Sequence, residues 1–299
     1  MPRYYDGPPR VLVGYDGSQD SYAALRLGAM EALTRDADLI LVNAVDDIVL
    51  GSAWGVVADP EQVKAAAQDA LRDGIAKALA EGLPLERIRT DVIVGKPAAQ
   101  LAKLSEKVNL VVVGRKAIES LRPYTGSTTL GLAGTTRCPM IVTSSSHPLP
   151  KDGWDQVVVG VDVSRNRGRV ALNWGYDLAD ASEGALTALG IVKEAGGRWF
   201  SGQELTPSQI DKAVAGTREK IAALVEPYED ANPDVETSIE VRYGDPLKEL
   251  VEASKTADIL LLEVQSAFPA YAIGAVARGL MTYSNCPVGL VRSREQYAG

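Results

Sequence analysis

Short runs of β-branched and other apolar residues recur along the chain, separated by longer segments in which apolar positions return every three or four residues. In the first half the short runs are Val11–Tyr15, Leu39–Val45, Thr90–Val94, Leu110–Val113 and Met140–Thr143. They are continuous rather than alternating, which predicts parallel strands covered on both faces. Between them Val63, Ala66, Ala67, Ala70, Leu71, Ile75, Ala78 and Leu79 keep helical spacing. Leu101, Ala102 and Val108 do so more briefly after Pro97, a residue suited to a first helical turn. The second half follows suit: Ile210, Ala213, Val214, Thr217, Ile221, Leu224 and Val225 form a long stripe, and Asp245-Pro246 reads as an N-cap followed by proline at the first helical position. Strand–helix alternation of this kind predicts an α/β fold built on a doubly wound, mostly parallel sheet.

The pattern also repeats. Val11-Leu12-Val13-Gly14-Tyr15-Asp16-Gly17-Ser18 returns as Val157-Val158-Val159-Gly160-Val161-Asp162-Val163-Ser164, an offset of 146 residues. Gly95-Lys96-Pro97 returns as Gly244-Asp245-Pro246, an offset of 149, and Cys138-Pro139 returns as Cys286-Pro287, an offset of 148. Three landmarks in one order at nearly one offset make the chain a tandem duplication with small insertions. The expected domains are 1–146 and 154–299, joined by a linker at about 147–153, in the stretch Ser144–Gly153 where periodicity stops and Pro, Ser and Gly gather.

Composition narrows the chemistry. The 299 residues carry 31 Lys and Arg against 39 Asp and Glu, a net charge of −8, which argues against sequence-independent nucleic-acid binding. Two Cys cannot make a disulfide framework, and one His excludes both a multi-histidine zinc site and a pair of histidine acid–base groups. The amino terminus has no apolar signal-like core, and no stretch approaches ~18 uninterrupted apolar residues, so the chain is expected to be soluble, cytoplasmic and independent of membranes.

In a doubly wound sheet, ligands sit beyond the carboxyl ends of the strands. Three features of the first half converge there: Asp16 after the first strand, Gly114 with Arg115 and Lys116 after the fourth, and Gly126-Ser127-Thr128-Thr129 opening the next helix. The two glycines would let backbone approach a phosphate, and a helix start offers free N–H groups and the positive end of a dipole. Arg115, Lys116 and Arg122 lie in the intervening loop against one acid, Glu119. The same residues also suit a plain turn and N-cap, and that alternative stays open.

Asp-Gly-Ser after the first strand, Val-x-Gly-x-Pro before the third helix and Val-Val-Gly…Gly-Ser…Cys-Pro towards the end resemble the universal stress protein family, in two copies covering almost the whole chain. The resemblance implies domains of adenine nucleotide alpha hydrolase-like or flavodoxin-like three-layer topology. The family's ATP signature is Gly-x2-Gly-x9-Gly-Ser/Thr; here Gly114 fits, Ala117 stands at the second glycine, and Gly126-Ser127 arrives one residue early. Carried over, it implies that Asp16 and Ala44 meet the adenosine, and that Val113, Gly114, Arg115, Ala117, Gly126, Ser127 and Thr128 follow the ribose and phosphates of ATP, with or without Mg. It further implies an internal pseudo-dimer through the last strands, Met140–Thr143 and Val288–Val291, and a homodimer of such chains.

The second copy departs from the first. Asp162 is retained and Gly190 stands where Ala44 does, but Glu263 replaces Gly114, the loop from Val264 to Ile273 holds no Lys or Arg, and Gly274-Ala275 keeps only part of Gly126-Ser127. Two like charges ~4 Å apart repel by about 4 kcal/mol at an effective dielectric of ~20, so the second site is expected to be lost to ATP. Tyr271 and Phe268 would fill the space, and Trp54 would cover a ligand or a partner. Cys138 and Cys286 before equivalent strands read as inert buried thiols, and His147 as a solvated linker residue. Thr125, Ser127, Thr128 and Thr129 read first as capping residues. No general base stands out, so turnover or autophosphorylation, if any, would be slow. The reading is a nucleotide-binding stress-response or signalling protein with ATP in the first half; the alternative is a nucleotide-independent interaction module with both sites degenerate.

Overall fold

The structure is a computed structural model that describes residues 7–46, 59–115, 126–150, 153–194, 205–264 and 273–292. The chain divides into two compact units, the first carrying strands β1 to β5 and the second β6 to β10.

In the first unit β1 (Arg10–Gly14), β2 (Asp38–Val45), β3 (Ile88–Val94), β4 (Leu110–Gly114) and β5 (Met140–Thr143) are all parallel, in the order β3-β2-β1-β4-β5. The helices are α1 (Gln19–Thr34), α2 (Pro60–Ala80), α3 (Pro97–Leu104) and α4 (Ser127–Thr135). Val13 packs under Gly28 of α1, whereas the next residue, Gly14, faces Leu101 of α3. Both faces of β1 are therefore covered, which is why its residues are apolar without alternation: Val11, Leu12 and Val13 are all fully buried. The second unit repeats the plan, with β6 (Gln156–Val161), β7 (Ala185–Lys193), β8 (Thr237–Gly244), β9 (Ile259–Glu263) and β10 (Val288–Val291) in the order β10-β9-β6-β7-β8, again parallel. Its helices are α5 (Arg169–Ala181), α6 (Pro207–Ala231), α7 (Pro246–Ala253) and α8 (Ala275–Tyr283). The doubly wound parallel α/β architecture expected from the sequence is the one observed.

Local signals place the helix starts. Pro97 and Pro246 occupy the first turns of α3 and α7, and the Asp245 carboxylate accepts the Lys248 N–H at 2.9 Å. Thr206 and Gln209 form a reciprocal capping box at α6. α1 left no stripe in the sequence because it is enclosed: Ala23, Ala24, Leu25, Leu27, Ala29 and Ala32 are all buried.

At the amino ends of the strands the two units share their bonds. The Arg10 N–H donates to Asn109 Oδ1 at 2.9 Å, and the Gln156 N–H to Asp258 Oδ2 at 2.8 Å. Ser105 Oγ accepts the Arg137 N–H at 2.8 Å, and Ser254 Oγ the Asn285 N–H at 2.9 Å. Thr136 and Ser284 donate to the carbonyls of Cys138 and Cys286. Both thiols are buried, and burial pushes each up to about 12, which keeps them protonated and unreactive. None of the described helices is long and apolar enough to cross a membrane.

Candidate functional site

At the carboxyl end of β1 the chain turns through Tyr15, Asp16 and Gly17 into Ser18, the N-cap of α1, whose Oγ accepts the Ser21 N–H at 3.1 Å. The Asp16 carboxylate accepts the Ser18 N–H at 3.0 Å, so this acid is oriented by the turn it closes. The buried Tyr15 donates its phenol to Asp73 Oδ2 at 2.7 Å, with Lys77 Nζ 3.3 Å from the Tyr15 hydroxyl and 2.8 Å from Asp73 Oδ2. Burial, then the Asp73 carboxylate, push Tyr15 up to about 12. Lys77 also lies 4.6 Å above the Tyr22 ring. Asp73 and Lys77 are one helical turn apart on α2, a spacing that marks them as a pair in the sequence, whereas nothing local marks Tyr15 as their partner. Ala44 lies near the end of β2, half-buried and in register with Ile93 of the edge strand β3.

The corner between β4 and α4 has a tighter logic. Val113 is buried, and Gly114 is the last residue of β4. A Cβ on Gly114 would come within 2.7 Å of the Asp20 backbone in the first turn of α1. Packing of α1 against the strand end therefore requires this glycine, a reason distinct from the phosphate approach expected of it. α4 is pinned to the same strand end from the other side: the Gly126 N–H donates to the Arg115 carbonyl at 2.8 Å, and Thr129 Oγ1 to the Gly114 carbonyl at 2.8 Å. Gly126 is the N-cap and supplies no side-chain bond. Its φ of −61° is open to any residue, and among the described residues a Cβ there would meet nothing closer than the Arg115 carbonyl oxygen at 3.5 Å. Glycine here satisfies neither strain nor crowding; its effect is to leave the start of α4 without a side-chain cap, with Ser127 exposed and Thr128 half-buried beside it.

The Arg115 side chain does not extend along α4. Its Nη2 donates to Ser144 Oγ at 2.9 Å and to Ser146 Oγ at 3.2 Å, just beyond β5. Ser144 Oγ in turn donates to Asp20 Oδ1 at 3.3 Å, which also accepts the Ser145 N–H and hydroxyl, each at 2.8 Å. Asp20 is 7% exposed. The residues expected to begin a linker thus form a polar cluster around the buried Asp20 and Ser144, with Ser145 and Ser146 at its exposed edge, and His147, expected to be solvated, is itself buried. Ala117, Lys116, Glu119, Arg122 and Thr125 lie outside the described residues, as do Trp54, Phe268 and Tyr271.

In the second unit the same corner is built differently. Asp162 is followed by a short helical turn, Val163–Arg165, a left-handed Asn166 and Gly168 at φ +125° before α5 begins. Asp162 accepts from Ser164 Oγ at 2.6 Å and from the Arg165 guanidinium at 2.8 Å. α5 has no cap on its own segment; instead Glu263, at the end of β9, accepts the N–H groups of Gly168 at 2.9 Å and Val170 at 3.1 Å. The carboxylate is therefore engaged at the start of α5 rather than standing loose in a site, and its consequence for a ligand is occupancy by a bonded side chain more than bare repulsion. Gly190 of β7, opposite Val241 of β8, is there because a Cβ would run into Ile221 of α6. Among the described residues nothing lies within contact of a Cβ at Gly274, and Ala275 begins α8.

Two tandem parallel α/β units, with an acid after the first strand and an uncapped helix start after the fourth strand of the first unit, define a duplicated α/β protein whose candidate site lies beyond the strand ends. The universal stress protein family model matches residues 8–144 and again 153–292, and the chain belongs to that family. It is 26% identical over 298 residues to a universal stress protein of Mycolicibacterium smegmatis, covering 95% of this chain and 97% of that relative. It is 24% identical over 257 residues to one of Mycobacterium tuberculosis H37Rv, covering 86% and 89%. The crystal structure of a universal stress protein from Archaeoglobus fulgidus shares the fold, with a TM-score of 0.68 at 15% identity over 95% of this chain and 98% of that one.

Proposed function

We propose that the protein is a nucleotide-binding stress-response protein that holds ATP in its first unit, at the carboxyl ends of β1 and β4, with the phosphates at the start of α4. The observation that carries this reading is Gly126: an N-cap without a side chain, where nothing in the packing of the described residues calls for glycine. The first N–H groups of a helix otherwise lack partners, and together with the dipole they suit an anion. Ser127 and Thr128 add hydroxyls to that end, and Asp16 and Ala44 stand at the ends of β1 and β2, where the base and ribose would lie. The second unit closes its corner with Glu263, so one nucleotide per chain is expected. When bound, ATP would supply the triphosphate charge; the chain supplies the helix start, held in place by the bonds of Gly126 and Thr129 to the end of β4.

Gly126→Asp tests the site without unfolding it. A carboxylate in place of glycine at the N-cap stabilises a helix by about a few tenths of a kcal/mol, and it would take the place of a phosphate. The variant should melt slightly higher than wild type in buffer and lose the rise in Tm that millimolar ATP·Mg gives wild type. A ligand at about 100-fold its Kd stabilises the native state by ~2.7 kcal/mol, well within reach of a melt. If ATP leaves wild type unmoved, the interaction-module reading replaces this one. If it raises both proteins equally, the phosphates are not at α4.

A further inference from the structure

Within the first unit, two opposite charges meet through hydroxyls at the edge of the proposed site. Asp20 belongs to the first turn of α1, and its Oδ1 collects the Ser145 N–H, the Ser145 hydroxyl and the Ser144 hydroxyl. Ser144 Oγ is also 2.9 Å from Arg115 Nη2, so one hydroxyl accepts from the guanidinium and donates to the carboxylate. Arg115 is the residue whose carbonyl receives the Gly126 N–H, placing its backbone at the root of α4. Asp20 is equally close to that corner, since its backbone is what a Cβ on Gly114 would strike. Burial draws Arg115 below its ordinary value while the charge of Asp20 pushes it back up. The second unit has no counterpart: at the equivalent offsets Val264 and Arg292 stand for Arg115 and Ser144.

We infer that Asp20 sets the specificity of the site for phosphate charge, by competing with the nucleotide for Arg115 through Ser144. The inference rests on the nucleotide reading above and adds how that site is tuned. An acid this near an anion site opposes the anion directly, and by engaging Arg115 it also withholds a cation from it. Both effects have one sign, and both grow with the number of phosphates. A purely structural role for Asp20 has the opposite sign, because loosening α1 against β4 would weaken every ligand alike.

Calorimetric titration of the full chain with ATP, ADP, AMP and adenosine decides it. Asp20→Asn should bind ATP more tightly by roughly fivefold, the size of one partly screened charge. The gain should shrink through ADP and AMP and vanish for adenosine. Adding Arg115→Gln to Asp20→Asn should remove most of the gain. Unchanged or weaker ATP binding, or the same change for adenosine, overturns the inference while leaving the nucleotide site standing. Failure of wild type to bind ATP removes both. If Asp20→Asn does not fold, Ser144→Ala cuts the same relay and leaves Asp20 its bonds to Ser145; it is judged by the same signs, with a smaller expected gain.

Discussion

β4 ends in glycine and β9 in glutamate, at equivalent places in two units that otherwise share strand order, helix order and the bonds at their amino ends. In the first unit α1 comes so close that the strand end has no room for a side chain. In the second, a longer connection after β6 lets α5 start further along the chain, and Glu263 bridges to its first N–H groups. The contrast separates two demands on one fold. Bonds such as Arg10 to Asn109 and Gln156 to Asp258 tie strands together at one end and recur in both units. The other end carries no such shared obligation, and there one unit keeps an open helix start while the other fills its corner with its own carboxylate.

Exchanging the two residues should therefore be costly in opposite ways. Gly114→Ala forces backbone apart rather than a side chain, and the expected loss is about 3 kcal/mol, at the upper end of ordinary overpacking. Calorimetry of the full chain should show a transition lowered by several degrees. Gly114→Glu should do worse, so it cannot serve as a clean probe of nucleotide binding. A Gly114→Ala chain that melts like wild type would mean that α1 does not need this close approach.

Glu263→Ala is the next largest effect. It strips two N–H groups at the start of α5 of a charged acceptor, and loss of a cap costs roughly 0.5–2 kcal/mol. The midpoint of urea unfolding should fall accordingly. The change should not create an ATP site in the second unit, because the loop before α8 still lacks Lys and Arg. A Glu263→Ala protein that gained a second equivalent of ATP would show that repulsion by this carboxylate, rather than the whole corner, kept nucleotide out.

Most of the fold was legible because each strand is a local apolar run, and because the duplication lets one half check the other. Helix starts with a proline or an N-cap aspartate were legible for the same local reason. α1 was not, since a helix buried nearly all round has no polar face to mark its period. The cluster at the candidate site was the hardest to foresee. It joins residue 20, residue 115 and residues 144–146, which only the crossing of β1, β4 and β5 brings together, and a run of three serines before His-Pro reads as a linker until their partners are known. Glu263 was visible as an odd residue, but its role as the cap of α5 depends on a connection whose path the sequence does not disclose.

The smallest expected difference between the units concerns acid. Burial works against ionisation of Asp162, but the bonds from Ser164 and Arg165 outweigh it and hold the carboxyl below its ordinary value. A carboxylate whose value is lowered on folding stabilises the native state above its unfolded value, about 3.9 for aspartate, and loses that contribution as pH falls through the lowered value. The pair with Arg165 is largely exposed, so the contribution should be under about 1 kcal/mol and should weaken in salt. Asp16 takes a backbone N–H rather than a guanidinium, and an amide oxygen can accept that bond equally well. Asp162→Asn should therefore lower the urea midpoint slightly at pH 7, with the gap from wild type closing as pH falls through the lowered value, whereas Asp16→Asn should shift the pH 7 midpoint less. A gap for Asp162→Asn that persists undiminished in acid would assign the effect to the shape of the turn rather than to its charge, and the two units would then differ at this position only in backbone path.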